Sequence, residues 1–69
     1  MFPNLSAEQK RKGISNKIMA ELLNVSKQTY ERKKRIGTFT IYEINFLCKF
    51  FNCNYEYLFA TEEELKKPN

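Results

Sequence analysis

The chain is punctuated at short intervals: Gly13, Asn24, Gly37 and the pair Asn52 and Asn54 all stand where a helix would have to stop. Gly and Asn accept the left-handed conformation that other residues avoid, so each is a natural terminus or tight turn. Between these breaks the apolar residues recur at helical spacing, with little of the alternation that marks a half-buried strand. The pattern permits short helices on short connections, and hence an all-α fold.

Each piece carries its own start signal. Ser6 with Gln9 three residues on has capping-box spacing and predicts the opening of a first short helix. Gly13 ends it after Lys10, Arg11 and Lys12, cations that suit a helix C-terminus. Ser15 caps a second helix from Asn16 to Leu23, whose Ile18, Met19, Leu22 and Leu23 form one helical stripe. Asn24 then takes a tight turn, and Ser26 caps a third helix from Lys27 to about Arg35. Tyr30 is the large apolar residue of that helix, so most of its surface is expected to face solvent.

Thr40 and Glu43 form a second capping box before a helix from Ile41 to Phe51, in which Ile41, Ile44, Cys48 and Phe51 share a face. Asn54 caps a last short helix through Tyr55, Leu58 and Phe59. The expectation is a compact bundle of about five short helices over residues 1–60. A charged, loosely ordered tail follows over 61–69, where Pro68 opposes further helix.

With 69 residues there is room for one domain and little for an enzyme cleft with a supporting shell. The apolar fraction, 42%, is enough for a packed core. No run approaches the length of a membrane span and no signal peptide is visible, so a cytoplasmic protein of a bacterial host cell is expected. Cys48 and Cys53, without any His or a second Cys pair, support neither zinc nor a disulfide framework and read as reduced, buried small residues. No metal, cofactor, small-molecule substrate or catalysis is expected.

The charge is lopsided. From Lys10 to Arg35 there are nine Lys or Arg and two acids, Glu21 and Glu31, so that segment holds +7 and the remainder −3 within a net +4. Such asymmetry suits a polyanion, with nucleic acid the first candidate. A merely solvated basic surface is the plainer alternative.

The segment NKIMAELLNVSKQTYERKKR, Asn16 to Arg35, resembles the helix-turn-helix of the lambda-repressor-like (Cro, or XRE-type) regulators. A small residue lies mid-way along the first helix of that motif, as Ala20 does. A Gly or Asn takes the turn four residues on (Asn24), followed by an apolar residue (Val25) and a capping Ser or Thr (Ser26). Tyr30 falls at the core-facing position of the recognition helix. The GIS entry before the motif and the ending LCKFFNCNYEYLF agree with the same family, and the likeness spans roughly residues 9–59.

The resemblance implies a phage- or mobile-element-type transcriptional regulator, a repressor in the manner of Cro, with double-stranded operator DNA as partner. An exposed helix with its side chains fits the major groove. Lys27, Gln28, Glu31 and Arg32 would project toward base edges, Gln28 suited to adenine and Lys27 or Arg32 to guanine. By resemblance, Ser15 and Asn16 would bond backbone phosphate. Lys17, Lys33, Lys34, Arg35 and Thr38 are the expected phosphate clamps around the docked helix.

The chain departs from the family pattern in three ways. Glu8 stands where a Leu is usual, leaving Phe2, Leu5 and Ala7 to cover the core from helix one. Lys33 replaces an apolar residue, and Lys34 replaces an acid that often pairs with a base in helix one, so an internal tie is expected to be lost. Tyr42, Phe46 and Phe50 recur every four residues beside the core face of helix four. Read blandly, they extend the core; read sharply, they are a protein interface, used for a homodimer or for a heteromer with a cognate repressor. An antirepressor, or modulator, that grips a repressor through this apolar surface is therefore the alternative function. An antitoxin is a weaker third.

Overall fold

The computed structural model describes residues 2–66, which contain six helices and no strand: α1 (Pro3–Lys12), α2 (Asn16–Leu22), α3 (Lys27–Ile36), α4 (Ile41–Phe51), α5 (Tyr55–Leu58) and α6 (Glu62–Lys66). The fold is all-helical. Among the described residues no helix is long and apolar enough to cross a membrane.

The helix limits follow local chemistry. Ser15, Ser26, Thr40 and Asn54 each accept a hydrogen bond from a backbone N–H of the first turn they precede. Thr40 and Glu43 close a full capping box. Gly13, Asn24, Gly37 and Asn52 all take positive φ at helix ends. At Gly37 φ is 77°, and the ring of Phe2 lies 3.4 Å from where a Cβ would stand, an ordinary contact, so it is the backbone conformation that calls for glycine.

One expectation about the start of the chain is corrected. Helix one opens at Pro3 rather than at a Ser6 cap, because Pro at the first position lacks only an N–H the helix would leave unpaired. Ser6 lies inside the helix, and Gln9 turns inward instead of back to a cap. The segment beyond residue 60 holds a sixth helix, α6, opened by Thr61, which accepts from the Glu64 N–H at 3.3 Å. α6 buries no residue. The expected role of Pro68 lies outside the described residues.

Leu5, Met19, Tyr30, Leu47 and Leu58 are fully buried, joined by Ala20, Phe51 and Phe59. Helices α1 to α5 contribute all of these but Phe59, which ends α5, so the core sits at the centre of the bundle. Phe2, Phe39 of the α3–α4 connection and Phe59 form an aromatic group packed on the core, with ring centroids 5.3–6.1 Å apart and Phe59 edge-on to both of the others. Of the stripe on α2, Met19 and Leu23 face this core while Ile18 and Leu22 face outward. On α4, Leu47 and Phe51 are buried, Ile44 and Cys48 pack against them, and Ile41 is exposed.

Helix one solves the shortage of apolar residues with polar ones. Leu5, Glu8 and Gln9, at helical spacing, are its buried face, whereas Ala7 is exposed. Glu8 accepts from the Tyr57 hydroxyl at 2.9 Å and pairs with Arg11 at 3.0 Å. That bond to Glu8 pushes the Tyr57 phenol above its usual range. With Asn4 Nδ2 donating to the Tyr57 carbonyl at 2.8 Å, these bonds fasten α1 to α5.

Candidate nucleic-acid interface

α2 and α3 pack against each other more extensively than any other pair of helices. Residues 23–26 connect them: Asn24 adopts φ 59°, and the Val25 N–H closes back on the Ala20 carbonyl at 2.9 Å. Ala20, almost wholly buried, keeps that side of α2 small. α3 buries only Tyr30. A helix so weakly rooted in the core leaves a broad solvent face.

The residues of α3 divide by helical spacing. Gln28, Glu31, Arg32 and Arg35 share one side and, with Thr29, line a shallow surface hollow. Gln28, Arg32 and Arg35 are exposed and have no side-chain partner among the described residues. Lys27 is also exposed, 3.8 Å from Glu31. Ser15, Lys17 and Thr38 are exposed too, but the Ser15 hydroxyl is engaged as the cap of α2, accepting from the Ile18 N–H at 3.2 Å.

The opposite side of α3 is occupied internally. Lys33 pairs with Glu43 of α4 at 3.1 Å, both side chains largely covered, and donates to the Thr38 carbonyl at 3.2 Å. Burial alone would raise the Glu43 carboxyl, but bonds from Thr40 and Lys33 and the nearby Lys33 charge outweigh it and hold the group below its usual range. Lys34 lies over the Tyr30 ring, 5.5 Å from its centroid, and donates to Gln9 Oε1 at 3.1 Å and more weakly to Asn16 Oδ1 at 3.5 Å. Burial lowers its ammonium pKa, with Glu31 pulling the other way.

Lys33 and Lys34 are thus packing and tethering residues in this structure, not free cations. The tie expected to be lost at Lys34 is present with its polarity changed: an ammonium on α3 meets an amide oxygen on α1. Asn16 is likewise committed, accepting from Gln9 Nε2 at 3.0 Å and donating to Glu31 Oε2 at 3.2 Å. Gln9 is the residue that sequence reasoning missed. It is buried, it accepts from the buried Tyr30 hydroxyl, and its spacing from Leu5 was the available signal.

The aromatic stripe of α4 divides as well. Tyr42 is 82% exposed and Phe46 37%, while Phe50 stacks on Phe46 and packs edge-on against Phe51 at the core. Cys48 and Cys53 are free thiols, both half-buried; burial and the neighbouring Cys53 push the Cys48 thiol up. Among the described residues no group of three or more potential ligands could hold a metal ion.

Comparison with family models, curated proteins and solved structures returns no match for this chain.

Proposed function

We propose that the chain is a phage- or mobile-element-type transcriptional regulator in which α2, the turn at Asn24 and α3 act as a helix-turn-helix and α3 enters the major groove of operator DNA. The observation that carries this reading is the outer side of α3, where Gln28, Arg32 and Arg35 stand exposed and uncommitted on a helix that buries one residue. Capped by Ser26, its first turn presents backbone N–H groups and Lys27 at the same end. Lys27, Gln28 and Arg32 serve as base-reading residues, and Lys17 and Arg35 as phosphate contacts. A symmetric dimer would set two such helices about 34 Å apart on an inverted repeat.

Fluorescence anisotropy on the DNA flanking the protein's own gene, at two salt concentrations and with competitor DNA, tests this. Tight, competitor-resistant binding is expected. Weak binding erased by salt would overturn it.

A second reading rests on α4. Ile41 and Tyr42 are among the most exposed large apolar residues, with Phe46 beside them. That patch fits a modulator that binds a cognate repressor. On this reading Tyr42→Ser and Phe46→Ser abolish repressor binding and leave the fold intact; unfolding by Phe46→Ser with normal binding by Tyr42→Ser would refute it.

A further inference from the structure

Glu31 stands at the outer end of a polar chain that begins in the core. The Tyr30 hydroxyl donates to Gln9 Oε1; Gln9 Nε2 donates to the Ile14 carbonyl at 3.2 Å and to Asn16 Oδ1 at 3.0 Å; Asn16 Nδ2 donates to Glu31 Oε2 at 3.2 Å. Every amide oxygen in the series meets a donor and every amide nitrogen an acceptor, so the bonds themselves fix which way both amides point. Lys34 reinforces that sense by donating to the oxygen of each amide. Gln9 and Tyr30 are buried, so their bonds are not readily exchanged for bonds to water.

The chain therefore holds one carboxylate oxygen on the outer side of α3. Glu31 Oε2 is engaged by Asn16 and, at 3.8 Å, by Lys27; Oε1 has no partner among the described residues. A carboxylate facing DNA is repelled by phosphate, so a productive place for it is a base edge that offers a donor. In the major groove those donors are the cytosine N4 and adenine N6 amines. Adenine sets its N7 acceptor beside the amine, against the carboxylate, whereas cytosine offers the amine without an adjacent acceptor of its own. Arg32 and Arg35 line the same hollow and offset the repulsion.

Resting on the DNA-binding reading above, we infer that Glu31 selects a cytosine in the operator by accepting a hydrogen bond from its N4 amine. Gln9 and Asn16 are positioning residues that aim the carboxylate. Asn16 then serves specificity rather than a phosphate contact.

The test begins by selecting duplexes from a randomised pool with the wild-type protein. Every base pair of the selected duplex is then substituted in turn, and anisotropy is measured for wild type, Glu31→Gln and Asn16→Ala, with thermal unfolding of each. Wild type is expected to prefer cytosine at one position by about tenfold or more. Glu31→Gln loses that preference, or moves it to adenine, at that position alone. Asn16→Ala weakens the same preference several-fold and leaves the other positions as they were, an effect that a loss of stability would not confine to one base pair. Should Asn16→Ala unfold, the Glu31→Gln arm decides the matter. A common change in affinity for all duplexes on Glu31→Gln, with base preferences intact, would overturn the inference while leaving DNA binding standing. Failure of wild type to select any duplex would overturn both.

Discussion

The two sides of α3 carry the same sign of charge to different ends. On the inner side Lys33 and Lys34 are spent on α4 and α1, reaching Glu43 at 3.1 Å and Gln9 Oε1 at 3.1 Å. On the outer side Arg32 and Arg35 extend into solvent beside Gln28. The difference suits the chemistry of the two cations. A lysine can lay its long stem along apolar surface and deliver a compact ammonium to one or two oxygens. A guanidinium is a planar fork that keeps its charge and matches phosphate or a guanine edge bidentately. The inner side roots a polar helix that has only Tyr30 in the core; the outer side is left available to a partner.

The severest way to break this arrangement is Tyr30→Ala. Removing a fully buried aromatic costs about 3–5 kcal/mol, comparable to the whole stability of many small domains, so loss of cooperative unfolding by circular dichroism is expected. Tyr30→Phe sharpens the point. It keeps the core volume but takes one donor from Gln9 Oε1, at a cost of about 1 kcal/mol. Equal effects from the two variants would mean that the hydroxyl, and not the ring, anchors α3.

Next in size is Lys33→Ala, which leaves Glu43 poorly exposed and without its cation. A loss of about 2 kcal/mol in urea unfolding is expected, between the values for exposed and for buried pairs. A stability unchanged from wild type would return Lys33 to the set of free cations.

How much of this was legible follows from where each feature gets its cause. The caps Ser15, Ser26, Thr40 and Asn54 and the turns at Gly13, Asn24, Gly37 and Asn52 were legible because their bonds are made within a few residues. The outer side of α3 was legible too, since Gln28, Glu31 and Arg32 share a face by helical spacing alone. The roles of Lys33 and Lys34 were not, although they share Tyr30's side of the helix. Their partners Glu43 and Gln9 come from other helices, and a basic run looks alike whether its charges are tethered or free. Gln9 was hidden for the same reason: the capping-box spacing from Ser6 suggested a local bond, and Pro3 had already opened the helix.

On the outer side, Arg35→Ala is the counterpart of Lys33→Ala. Stability should stay within about 0.5 kcal/mol, because the side chain is exposed and unpartnered. DNA affinity should fall alike for all sequences, with the slope of log affinity against log salt reduced by about one. A stability loss matching that of Lys33→Ala, with DNA affinity intact, would erase the distinction between the two sides.

The smallest effect is a pH dependence that belongs to the inner side. The Glu43 carboxyl is held below its ordinary value of 4.5, because the bonds from Thr40 and Lys33 outweigh the cost of burying it. A group whose folded pKa is depressed contributes stability that is present above the unfolded value and is lost as pH falls through the folded value. The contribution of the Glu43 carboxylate, made through the Thr40 bond as well as through Lys33, is therefore complete at neutral pH and is lost as pH falls below about 4.5. Glu43→Gln removes that charge while glutamine can still complete the capping box with Thr40. Thermal unfolding of both proteins from pH 7 to pH 3 should show wild type more stable at neutral pH and the two curves converging in acid. Parallel curves would mean that the Glu43 charge stabilises neither the Thr40 cap nor Lys33, and that the inner side of α3 is held by Tyr30 and Lys34 alone.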